Sequence, residues 1–117
     1  MKKTSNYIII NIPKDFYDAP SSRFRSDWEH SWQEFYEDYL SKTIDDIVWG
    51  KKLKIILDWA WWYGPSFLSQ AFWTLRIELE KKGINIWNAV EFEAKKMWWV
   101  LKPLHDLVED FNPNETK

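Results

Sequence analysis

Four kinds of side chain in this 117-residue chain have the chemistry to act on another molecule. Asp58 closes an apolar run, Ser66 follows Gly64 and Pro65, His30 and His105 stand far apart, and Arg23 and Arg25 share a stretch rich in turn formers. A carboxylate, a hydroxyl and an imidazole make an acid–base or nucleophilic site only when they come within hydrogen-bond reach. Neither histidine has a serine or cysteine at a recognisable motif spacing, so both read as solvent-exposed or capping residues. Ser66 is either a modifiable hydroxyl or a helix N-cap. Asp58 is either a contact residue or a strand-end carboxylate bonding loop N–H groups. Arg23 and Arg25 have the donors to hold a phosphate, with a plain surface role as the alternative. Glu91/Glu93 and Glu109/Asp110 read as solvated faces. Trp59, Trp61, Trp62 and Tyr63 would form an exposed aromatic platform for a partner, a sugar or a membrane surface.

Other chemistries are closed by what is missing. With no cysteine there is no disulfide, thiolate nucleophile or thiolate zinc site, and two distant histidines give no ligand spacing for a metal. No Gly-rich phosphate cradle is written in the chain, and no cofactor is expected. Sixteen basic against eighteen acidic residues, with no long Lys/Arg run, leaves no footprint for nucleic acid. The apolar run Tyr7 to Ile12 is too short for a signal peptide or a membrane span, so a cytoplasmic location is expected.

The elements that would position these residues follow from hydrophobic period. Tyr7 to Ile12 is β-branched and stops at Pro13, which reads as a first strand. Residues 14–31 show turn formers without periodicity and read as a long connection. Phe35, Tyr36, Tyr39, Leu40, Ile44 and Ile47 recur at three and four, predicting a helix of about four turns capped by Ser31 or Asp27. Lys51 to Asp58 is a continuous apolar strand, expected at the middle of the sheet with both faces covered. A second helix is expected from Pro65 to Lys82, ended by Gly83 at the C′ position. Alternation in Ala89 to Glu93 predicts a further strand within 84–93, and a last helix is expected from about Pro103. The whole is an α/β domain over 1–111 with a polar tail over 112–117: about four strands, mostly parallel or mixed, and three or more helices. In such sheets the functional crevice lies beyond the carboxyl ends of the strands, here Asp58 to Ser66.

Around that corner, Leu57-Asp58-Trp59 and then Tyr63-Gly64-Pro65-Ser66-Phe67-Leu68-Ser69-Gln70-Ala71-Phe72-Trp73 resembles the bacterial STAS-like domain family of unknown function. That family is related by pattern to sulfate-transporter and anti-sigma-factor-antagonist domains. Upstream, Asp15-Phe16, Pro20, Arg23, Asp27-Trp28, Ser31-Trp32 and Glu34-Phe35 are similar to the family's signature. The match covers roughly residues 7 to 83. The resemblance implies a non-catalytic regulatory module that binds a protein, of the histidine-kinase-type ATPase or anti-sigma class. Its partner-binding residues would be Asp58, Tyr63, Gly64, Ser66, Phe67, Gln70 and Arg23, with Ser66 at the antagonists' phosphorylated serine. The antagonists' Asp and first Ser are Gly64 and Pro65 here, which leaves N-capping as the competing role.

The departures are systematic: Trp28, Trp32, Trp59, Trp62 and Trp73 stand where the family pattern has glycine. Ten tryptophans against three glycines is an excess matched by a deficit. One expectation is a gene in which UGA encodes glycine, read as tryptophan; the others are deliberate substitution and a genuine Trp-rich face that binds carbohydrate or membrane. An enzyme built from Asp58, Ser66 and a histidine is the remaining alternative class.

Overall fold

The computed structural model describes residues 1–17, 31–58 and 65–110, and within the last span not the side chains of Pro65, Ser66, Lys102, Pro103, Leu107 and Asp110. Four strands form one mixed sheet in the order β1-β2-β3-β4: β1 (Lys2–Lys3), β2 (Tyr7–Asn11), β3 (Lys52–Ile56) and β4 (Val90–Glu93). β1 runs antiparallel to β2, while β2, β3 and β4 are parallel. The α/β architecture read from the sequence is the one observed, with β1 as an addition: two lysines give no hydrophobic period to find it by.

Register explains the core. Ile8 pairs with Leu53 and Ile10 with Ile55, then Leu53 with Val90 and Ile55 with Phe92, so apolar side chains fall in rows on one face. Ile8, Ile10, Leu53 and Ile55 are fully buried. The alternate residues Lys52, Lys54 and Ile56 are not, which corrects the expectation that β3 is covered on both faces. Lys54 reaches Glu93 at 3.3 Å along that outer face. Period two had been masked by the isoleucines occupying both sets of positions.

A continuous helical path covers residues 32–48. It begins as α1 (Trp32–Phe35), passes through a π turn (Tyr36–Leu40) and a 3-10 turn (Ser41–Thr43), and ends as α2 (Ile44–Val48). Ser31 is its N-cap, its Oγ accepting from the Glu34 N–H at 3.1 Å. Phe35, Leu40 and Ile47 are buried, as the stripe predicted. The buried Thr43 hydroxyl is satisfied by donating to the Leu40 carbonyl at 2.7 Å.

The long helix α3 (Pro65–Glu80) ends as expected. Gly83 takes φ +75°, its N–H bonds to Glu80 O, and Ile84 N–H reaches Leu79 O at 2.9 Å. That pair of bonds is the Schellman arrangement, which requires a residue tolerant of positive φ. Before β4 the chain makes a short helix α4 (Ile86–Ala89) capped by Asn85, so only the second half of 84–93 is strand. A 3-10 turn (Trp98–Val100) leads into α5 (Leu101–Asp110), two residues ahead of the expected start. Pro103 lies in its first turn, where a missing N–H costs nothing. Upstream, the first strand stops at Asn11, one residue short of the expected Ile12, and Ile12–Phe16 forms a π turn that runs into the expected connection, of which residues 18–30 lie outside the described residues.

Candidate functional site

Of the chemistry-bearing candidates, Asp58 stands at the carboxyl end of β3. Leu57 extends the β3–β4 ladder by one bond, its N–H reaching Glu93 O at 2.9 Å, and Asp58 follows with 6% of its surface exposed. Its carboxylate accepts three backbone N–H groups from the segment after β4. Lys95 N–H meets Oδ2 at 2.7 Å, and Lys96 and Met97 N–H meet Oδ1 at 2.7 and 2.9 Å. Burial by itself pushes this carboxyl pKa up. The N–H groups of Met97, Lys95 and Lys96, with the Lys95 charge, outweigh burial and hold it below the ordinary carboxylate value.

Asp58 is therefore a staple: it fixes the exit of β4 to the exit of β3, the second of the two roles the sequence left open. Three successive N–H groups converging on one carboxylate make an anion nest already filled from within the chain. No residue type marks this pairing, because its partners are backbone groups 37 to 39 residues away.

The other expected site residues divide sharply. Phe67 is fully buried in an aromatic cluster, stacked on Phe16 at 5.8 Å and tilted against Phe35 at 5.4 Å. Gln70 is 8% exposed, and its Nε2 has no hydrogen-bond partner among the described residues. Asp58, Phe67 and Gln70 thus shape the corner from inside and have little surface of their own to offer a partner. Ser66 is the second residue of α3. Arg23, Tyr63 and Gly64 lie outside the described residues, as do Arg25, His30, Trp59, Trp61 and Trp62.

His105 lies on α5, its ring stacked on Trp87 at 4.4 Å with 22° between planes, and its Nδ1 stands 3.9 Å from Asp106. Both Asp58 oxygens are occupied by backbone donors, and no hydrogen bond joins His105 to Asp58 among the described residues. No group of three His, Asp or Glu side chains suited to a metal ion occurs among the described residues either.

Two open hollows have polar groups that already bond within the chain. One of about 320 Å³ lies beside Arg76, Asn85, Trp87 and Glu109. Arg76 donates there to Val108 O and Glu109 O, at 3.2 and 3.1 Å, and to Glu80 Oε1 at 3.1 Å, while Trp87 Nε1–H donates to Glu109. These bonds clamp the end of α5 onto α3. The other hollow, about 290 Å³, adjoins Asn11, Asp15 and Ile56 at the carboxyl ends of β2 and β3. Its Asp15 accepts the Asn11 N–H at 2.9 Å and pairs with the Met1 amino group at 3.2 Å.

No helix among the described residues is long and apolar enough to cross a membrane. Comparison with family models, curated proteins and solved structures finds no match for this chain.

Proposed function

We propose that this chain is a non-catalytic STAS-like regulatory module that binds another protein through the corner between β3 and α3, and that phosphorylation of Ser66 switches the complex. The observation that carries the reading is the start of α3 at Pro65, shortly beyond the carboxyl end of a strand flanked by parallel neighbours on both sides. A ligand-facing corner in an open parallel sheet belongs at that end. The internal staple at Asp58 supports the reading, because it ties the exit of β4 to the exit of β3 and commits both carboxylate oxygens to backbone donors. A phosphate on the second residue of a helix meets unpaired backbone N–H groups and the positive end of the dipole, so the modified form is tolerated by the fold. The added charge then acts on the partner.

The partner class follows from the resemblance: a histidine-kinase-type ATPase or an anti-sigma factor, in the cytoplasm. Incubation with such an ATPase encoded beside this gene, plus ATP, tests the switch. The reading expects wild type to gain one phosphate and Ser66→Ala to gain none. Equal labelling of the two, or labelling of neither, refutes Ser66 as the switch.

A further inference from the structure

A pair of exposed indoles lies just past the Asp58 staple. Trp98 is 68% exposed and Trp99 56%, their rings edge to face at 6.0 Å and 80°. Beside them Lys95 carries a side chain 80% exposed, its Nζ 3.7 Å from Glu93 Oε1, and Lys96 is exposed as well. From Ala94 to Leu104 the sequence holds three lysines and no acidic residue. The backbone N–H groups of Lys95, Lys96 and Met97 are tied to Asp58, so the segment is presented in one conformation.

We propose that this segment is a docking surface for an anionic lipid bilayer, with Trp98 and Trp99 seated at the headgroup level and Lys95 and Lys96 paired with acidic headgroups. Indoles partition to the membrane interface because a large apolar ring carries one polar N–H, and lysines beside them add attraction to anionic lipid. The 80° angle between the rings removes the flat platform that stacked sugars or bases need. The two partly exposed indoles by themselves offer roughly 300 Å², against the ~800 Å² per partner that a stable dimer buries. Both positions lie beyond Gly83, where the resemblance to the glycine-bearing family pattern ends. The proposal uses none of the side chains assigned to the β3–α3 corner, so its failure leaves the protein-binding proposal standing.

Co-sedimentation with phosphatidylcholine vesicles, with and without phosphatidylserine, tests this. Wild type is expected to bind the anionic vesicles more tightly, with affinity falling as salt rises. Trp98→Ala/Trp99→Ala and Lys95→Gln/Lys96→Gln should each weaken binding to anionic vesicles by about tenfold or more. Both pairs are exposed, so an unchanged thermal melt certifies folding. No binding by wild type, undiminished binding by either double variant, or binding to a polysaccharide in place of vesicles overturns the proposal. So does a natural peptide spanning 97–101 whose mass carries glycine at 98 and 99.

Discussion

Replacing Asp58 by alanine removes one acceptor from three backbone donors at 2.7, 2.7 and 2.9 Å. Hydrogen bonds to a charged group contribute about 1.5–3 kcal/mol each, and water recovers part of that at the partly exposed donors. The net cost is about 3 kcal/mol, which in a domain of this size lowers Tm by more than about 10 °C. Asp58→Asn keeps one acceptor oxygen but turns an NH2 group toward a donor, so it should cost about 2 kcal/mol. The pH dependence carries the sign. The folded-state pKa lies below the unfolded value, so the carboxylate's contribution is present above about pH 4 and is lost as pH falls through the folded value. Wild type should therefore lose stability more steeply than Asp58→Asn on acidification below about pH 4. Urea unfolding followed by circular dichroism, repeated across that range, measures both effects. An Asp58→Ala cost below about 0.5 kcal/mol, or parallel pH profiles, would refute the staple.

Local geometry sets two further outcomes, and the tryptophan excess a third. Gly83→Ala should cost about 1 kcal/mol in urea unfolding, because open space surrounds the position yet φ is +75°, and an unchanged midpoint would remove the Schellman argument. Arg76→Ala should cost about 2 kcal/mol and raise amide exchange at 101–110, since its guanidinium holds the last carbonyls of α5; exchange unchanged there would refute the clamp. Recoding predicts UGA codons at Trp28, Trp32, Trp59, Trp62 and Trp73 and glycine masses in the corresponding natural peptides, whereas UGG throughout refutes it.

Period and punctuation made much of this fold legible. The three parallel strands, the helical stripe from Phe35 to Ile47, the Ser31 cap and the Gly83 stop were readable because each depends on local sequence. The outer face of β3 was not, since Ile56 is as apolar as its buried neighbour Ile55 and only the sheet's partners distinguish them. Short β1 and α4 carry too few residues to show a period. At the site, the sequence marked Asp58 but not what it binds, because backbone donors leave no trace in residue type. Phe67 and Gln70 were grouped with Asp58 as contact residues through their place along the chain. Their burial reflects α3 turning that face onto Phe16, Phe35 and the sheet, a tertiary choice.

Calorimetric titration of an adjacent-gene ATPase with wild type, Ser66→Ala and Ser66→Asp, joined to amide-exchange mapping of the complex, bears most directly on the protein-binding corner. A complex is expected with wild type and Ser66→Ala, with binding weakened about tenfold or more by Ser66→Asp and new protection centred on residues 58–72. Equal affinity of the three forms, with protection lying elsewhere, would contradict it.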